Sequence, residues 1–250
     1  MKKLGIIIEA RSTSTRLPNK HFLKVNNKAI IEHLIKRVKK IKNVSNIIIA
    51  TTSNQEDDKL CNLAKKNRID YFRGSELNVT KRVLDCSHKF KLDYICEITG
   101  DCPIIDIELV EQLISTFLEN LDLIDYATNS QGLPNGMGCQ VFKKTILLKS
   151  YKEIGNNLEE QEHVTLNICR NPKKYRLLFL KHPKKFLRPD IGVTLDEIYD
   201  FYLLRKIINY FYKKNVFLFN CLDVINLLER KKDWLKLNKS IKRKEDTIKI

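Results

Sequence analysis

The 250-residue chain contains no Cys-x-x-Cys pair, although seven cysteines are scattered at positions 61, 86, 96, 102, 139, 169 and 221. An odd count at these spacings indicates neither a zinc site nor a disulfide framework, and the compartment it fits is a reducing cytoplasm. Long apolar runs are missing too. Ile47 to Ala50 is typical of those present and falls far short of a membrane span. Met1-Lys2-Lys3 followed by Leu4 to Ile8 begins like an export signal, but Glu9 and Arg11 end the apolar stretch too early. It reads instead as a first β-strand. There is no Walker loop and no glycine-rich dinucleotide fingerprint. No Ser-His-Asp or Cys-His signature supports covalent hydrolase chemistry. Internal repeats and a clear linker are likewise absent.

What is present is a globular composition, 43% hydrophobic and 30% charged, in a chain long enough for one large α/β domain. The formal charge of +16 raises the question of nucleic acid. Lysine, however, is spread along the whole chain, and no aromatic-interleaved module accompanies the clusters at Lys36 to Lys42 and Arg230 to Lys249. Solvated helix faces explain these clusters better, so nucleic acid is not expected as a partner. A positive field would still gather polyanionic small molecules.

Strand and helix patterns alternate from the start. Leu4–Glu9, Asn46–Thr51, Ile69–Phe72 and Tyr94–Thr99 are short apolar runs. Between and after them, 29–41, 56–67, 79–90 and 108–118 carry apolar residues at helical spacing. This rhythm predicts an α/β fold with a largely parallel, Rossmann-like sheet and helices on both faces. The second half is less regular, with strands at 126–129, 140–142 and 175–180 and helices at 159–168 and 197–212. Residues 1–229 are expected to form the domain, and 230–250 a loosely ordered basic tail. Ligands of such sheets bind beyond the carboxyl ends of the strands, which directs attention to three loops.

The first loop, Ala10 to Lys20, holds Arg11, Arg16 and Lys20 among four hydroxyl residues. Arginines grip phosphate oxygens in pairs and lysine adds a point charge, so the loop can cradle a polyphosphate. By composition alone, a solvated basic loop is the readier reading. In Thr99-Gly100-Asp101-Cys102-Pro103, a carboxylate stands at the end of a buried strand, placed to hold a hard cation. Its plainer reading is a turn cap, and Asp106 is the expected N-cap of the following helix. In Val193-Thr194-Leu195-Asp196, Asp196 either caps the next helix or joins Asp101 as a second carboxylate; Asp200 fits an exposed first turn. Magnesium takes one or two protein carboxylates plus phosphate oxygens, as such a pair would provide. His163 could bind substrate or act as a base, though a lone helical histidine is more often structural.

In order and together these segments resemble the cytidylyltransferases related to the spore-coat polysaccharide biosynthesis protein, and more distantly the 3-deoxy-manno-octulosonate and N-acylneuraminate cytidylyltransferases. The resemblance is carried by Ile8-Glu9-Ala10-Arg11 through Leu17-Pro18-Asn19-Lys20, Ile48 to Thr52, Arg73-Gly74-Ser75, Ile98 to Asp106, Leu133-Pro134-Asn135-Gly136, Glu162-His163-Val164-Thr165 and Val193 to Asp196. It implies a nucleotide-diphospho-sugar transferase-like fold and transfer of CMP from CTP to a small acidic sugar, with Mg2+ as cofactor, commonly in a homodimer. Matched residue by residue, Ala10, Arg11, Arg16, Lys20, Thr51, Gly74, Ser75 and Asp101 would surround the nucleotide. Asp101 and Asp196 would hold the metal and, with Arg11 and Lys20, carry catalysis. Asn135, Gln140, Glu162 and His163 would meet the acceptor.

Three departures stand out. Gly138-Cys139-Gln140 replaces a common Asp-x-Glu, Glu97 stands where Arg is common, and Thr13 replaces a usual glycine. Other readings of the sequence are a binding protein on the same fold with catalysis lost, a nucleic-acid-binding protein, or a glycosyltransferase using a nucleotide-sugar donor.

Overall fold

The computed structural model describes residues 2–241. Its centre is a seven-stranded sheet of β1 (Leu4–Glu9), β4 (Asn46–Thr52), β5 (Asp70–Gly74), β6 (Tyr94–Thr99), β7 (Tyr126–Thr128), β8 (Gln140–Lys143) and β9 (Leu177–Phe179), in the order β5-β4-β1-β6-β8-β7-β9. The pairs β1–β4, β1–β6, β4–β5 and β7–β9 are parallel, and β8 runs antiparallel to both of its neighbours. The largely parallel α/β sheet expected from the alternation is therefore present, with one reversed strand. A two-stranded hairpin, β2 (Lys24–Val25) and β3 (Lys28–Ala29), stands apart from it.

Strand residues alternate between two cores, as a sheet covered on both faces requires. Ile6, Ile8, Ile49 and Cys96 face α1 (Ile30–Val38), α2 (Asp58–Lys66) and α4 (Ile107–Glu119). Ile7, Ile48 and Ile95 face α3 (Val79–Lys89), α5 (Lys144–Ile154) and α7 (Leu166–Arg170). A third cluster joins α8 (Ile198–Lys213) and α9 (Cys221–Arg230) to Ile191, Val193 and Leu195. No helix among the described residues is long and apolar enough to cross a membrane.

Two expected helices take a different form. The stretch 159–168 breaks into α6 (Leu158–Glu162) and α7, with His163 to Thr165 outside either helix. Val164 and Thr165 are β-branched and poor helix formers, and the Thr165 hydroxyl is used outside the helix, donating to Gln140 Oε1 at 2.7 Å. At the other end of the chain, the boundary expected at 229 does not hold. The helix α9 runs through Arg230, α10 (Lys232–Leu235) follows it, and Trp234, Leu235 and Leu237 pack on the third cluster. Asn238 is buried and donates to the backbone oxygen of Gly192 and to Asp200. The rest of the expected tail, 242–250, lies outside the described residues.

Candidate active site

The carboxyl ends of β1, β4, β5 and β6 lie along one edge of the sheet, and β8 begins there because it runs the opposite way. Gly100 lets the edge close. Its N–H donates to Glu9 O at 2.7 Å, and a Cβ there would lie 2.8 Å from that same oxygen. The first loop then folds over the edge. Asn19 adopts φ 56, a left-handed conformation that asparagine tolerates, and its N–H closes the loop onto Ser12 O.

That turn delivers Lys20. Its Nζ lies 2.8 Å from Asp101 Oδ2 and 3.4 Å from Asp196 Oδ1, and an Arg16 guanidinium nitrogen lies 2.6 Å from the same Asp196 oxygen. Residues 176 positions apart in sequence thus form one cluster of two cations and two carboxylates. Burial pushes the Asp101 carboxyl up, but the Lys20 ammonium and the Thr99 hydroxyl overrule it and bring it down to about 2. Burial works against the charge on Lys20 as well; Asp101 and Asp196 outweigh it and raise the ammonium. His21, buried beside that ammonium, is driven down to about 4 and is neutral near pH 7.

The structure decides between the readings of Asp196. It does not cap α8, which starts after Glu197; Asp200 accepts from the N–H groups of Asp196 and Glu197 at 3.0 and 2.9 Å. Asp200 is fully buried, not on the exposed turn expected for it. Asp106 caps α4 as expected, accepting from Leu109 N–H.

The other expected nucleotide residues border the same edge. Ala10 follows β1, Arg11 sits within electrostatic reach of Glu76 and Arg82, and Gly74 ends β5 with Ser75 next to it. Thr51 is fully buried, so it supports the edge from below and presents no surface to a ligand.

Several supports were not foreseen. Asp57 is fully buried and accepts from Ser12 N–H at 2.7 Å and from the Thr52 hydroxyl at 2.5 Å. Burial alone would raise this carboxyl, but those donors lower it. Glu76 accepts from the Thr13 hydroxyl and the Asn54 amide, both at 2.6 Å, so the threonine in the glycine position ties the first loop to the segments that follow β5 and β4. Arg82 donates to Ser75 O. Asp57 reads in the sequence as an ordinary helix start, and nothing in the chain marks it as a loop anchor.

Beside this edge opens a cavity of about 940 Å3. All four residues expected at an acceptor, Asn135, Gln140, Glu162 and His163, line it; Thr99 and Cys102 connect it to Asp101. Gly136, at φ +96, lets the Asn135 turn pack against 193–194, where a Cβ would lie 2.9 Å from Thr194 N. Asn238, Lys239 and Ile241, from the stretch expected to be a loose tail, form part of the wall.

Two of the sequence departures meet at the floor of this cavity. Gln140 Nε2 donates to Glu97 Oε2 at 2.7 Å, and Gln140 Oε1 accepts from the Tyr126 and Thr165 hydroxyls at 2.8 and 2.7 Å. Gly138, at the start of the altered 138–140 segment, is also built in: a Cβ there would stand 2.5–2.9 Å from Ser130, including 2.6 Å from its Cα.

Comparison with known proteins agrees with this geometry. Residues 5–232 match the cytidylyltransferase family. The chain is 33% identical over 244 residues to an uncharacterised protein of Methanocaldococcus jannaschii, covering 98% of this chain and 97% of that one. It is 31% identical over 205 residues to the spore coat polysaccharide biosynthesis protein SpsF of Bacillus subtilis, covering 80% and 84%. The solved structure of a cytidylyltransferase from Leptospira borgpetersenii superposes with a TM-score of 0.88 at 30% identity, covering 97% of this chain and all of that one. With a strand-end cluster of cations and carboxylates set beside a polar cavity, and with these full-length likenesses, the chain belongs to the cytidylyltransferase family and is an enzyme.

Proposed function

We propose that this enzyme transfers CMP from CTP to a hydroxyl of a small sugar bound in the cavity, releasing pyrophosphate. The observation that carries the reading is the Lys20–Asp101–Asp196 cluster, whose Asp101 adjoins the cavity-lining residue Cys102 in the chain. Arg11, Arg16 and Lys20 offer charge-assisted donors to phosphate oxygens, and the amides of the first loop add to them. The acceptor oxygen forms a new bond to the α-phosphorus while the bond from that phosphorus to the bridging oxygen of pyrophosphate breaks. The hydroxyl proton leaves to solvent. Such transfer depends on positioning and on neutralising charge rather than on a covalent intermediate.

Magnesium fits this donor set. Two carboxylates from distant strand ends are gathered on one ammonium, and among the described residues no larger cluster of His, Cys, Asp or Glu forms a complete metal cage. A cation that keeps several waters and takes the rest of its ligands from phosphates needs no more than that pair. Asp101 and Asp196 would hold it, and when bound it supplies charge neutralisation on the phosphates. A sugar acid is the acceptor that the family resemblance implies. The cavity's own charge argues against a carboxylate at its floor.

The test is pyrophosphate release from each of the four nucleoside triphosphates with magnesium, against a panel of sugars. Release with CTP and one class of acceptor supports the reading; release with a purine triphosphate in preference to CTP refutes it.

A further inference from the structure

The floor of the cavity is acidic at the point where it joins the nucleotide edge. Glu97 of β6 is 5% exposed, and Glu9 of the adjacent parallel strand lies on the same face, since Glu97 pairs in register with Ile7 and Glu9 with Thr99. Burial raises both carboxyls; Glu9 raises that of Glu97 further, so Glu97 is the more strongly displaced, whereas a hydrogen bond from Glu97 pulls the Glu9 carboxyl back down. Arg82 partly offsets the charge on Glu9. Two ionised carboxylates have no donor to share, and Glu9 Oε1 is buried with no hydrogen-bond partner among the described residues. A proton held between the two groups, or a donor on a ligand, would supply it.

Gln140 cannot turn to present its carbonyl to a ligand. Both lone pairs of Oε1 are engaged by Tyr126 and Thr165, which fixes Nε2 on Glu97. The lining contributes one lysine, Lys239, an exposed residue of the C-terminal wall, and the Asp190 carboxylate there is already paired with Arg188 at 2.7 Å. The floor is also well made. Its glutamate and glutamine are partners at 2.7 Å, and Gly138 is packed against Ser130, so these departures act as one exchanged unit.

We propose that the Glu9–Glu97–Gln140 floor makes this enzyme select an acceptor that presents hydrogen-bond donors, hydroxyl or ammonium, at its reacting end, and reject one that presents a carboxylate there. The proposal rests on the cavity being the acceptor site of the CMP transfer above. In a 2-keto sugar acid the carboxylate sits on the carbon that bears the attacking hydroxyl. On this reading it arrives at the end of the cavity lined by Glu9, Glu97 and Thr99. Even with one proton held between them, Glu9 and Glu97 keep one negative charge, which repels a carboxylate in a water-poor site and accepts from a vicinal diol or an ammonium.

The experiment compares 2-keto sugar acids, neutral sugars and amino sugars as acceptors with CTP and magnesium, using the full-length enzyme. Binding of the same sugars is followed in parallel by calorimetry. We expect kcat/KM for the best neutral or amino sugar to exceed that of any sugar acid by about a hundredfold or more. The neutral and amino arms identify whether hydroxyl or ammonium is read. In Glu97→Gln the acceptor KM should rise about tenfold while the KM for CTP stays within about twofold, and the discrimination against acids should shrink. A sugar acid that is the best substrate, or that binds more tightly than its carboxylate-free counterpart, overturns the proposal, as does failure of every neutral and amino sugar to bind. Failure of CTP itself to bind would instead count against the transfer reaction, and it leaves the sugar-binding comparison readable.

Discussion

The two sides of the site, one proposed for the nucleotide and the other for the acceptor, are built on opposite electrostatic plans. On the side proposed for the nucleotide, Arg16, Lys20, Asp101 and Asp196 interlock within 2.6–3.4 Å, and Lys20 holds the Asp101 carboxyl below its ordinary range. On the acceptor side, the floor carries Glu9 and Glu97 with their protons held more tightly than usual, linked to neutral Gln140, Tyr126 and Thr165. The first arrangement suits a polyanion and the second a donor-rich neutral or cationic molecule. Under the proposed transfer, two substrates of different charge would sit side by side on one sheet edge without competing for the same groups.

The sharpest way to break this division is to remove a carboxylate from the nucleotide side. Asp101→Ala should lower turnover about a hundredfold or more, the scale of losing a preorganised charged group in the transition state, while sugar binding measured by calorimetry stays unchanged. Near-full turnover would remove Asp101 from the reaction. Lys20→Met should weaken CTP by about tenfold or more, since one charge-assisted contact to phosphate is lost and two carboxylates are left facing each other. The acceptor KM should not follow.

Next in size is a structural test on the other side. Gly138→Ala places a Cβ on the backbone of Ser130, and overpacking of this kind costs about 1–3 kcal/mol, visible as a fall in Tm. A Tm equal to that of the parent would show that the 130–138 loop yields freely, and that the floor is less fixed than its contacts indicate. A smaller effect is expected from pH. A carboxyl whose folded pKa is raised stabilises the fold fully below its unfolded value, and that contribution is lost as pH rises through the folded value. The Glu9–Glu97 pair should therefore lower stability on going from pH 5 to pH 8, by at most about 1.4 kcal/mol per pH unit for each proton. Thermal melts of Glu97→Gln should show a flatter profile over that range; an unchanged profile would show that the pair does not hold its proton.

Much of the nucleotide side was legible in the sequence because its parts are local. Buried parallel strands write themselves as β-branched runs, and each is followed at once by its loop, so Arg11 to Lys20 and Gly100-Asp101 could be placed on one edge before any contact was known. The acceptor side depends on contacts between residues far apart in the chain. Glu97 and Gln140 are 43 positions apart, and the sequence shows two separate anomalies where the fold has one hydrogen bond. Thr165 was hidden in what reads as a continuous helix, and Asn238 in what reads as a basic tail. Taken alone, Asp196 reads in the sequence more readily as a helix cap, and in the fold it is Asp200 that accepts from the N–H groups at the start of α8. A lysine-rich composition masks the difference between a solvated end and one that folds back to close a cavity.

The most direct test of the central claim is a calorimetric titration of CTP, UTP, ATP and GTP into the enzyme with magnesium, repeated with Lys20→Met. The account predicts that CTP binds in preference to the other three and that the substitution weakens it about tenfold or more. Equal binding of all four nucleotides, or CTP binding untouched by the loss of Lys20, would contradict it.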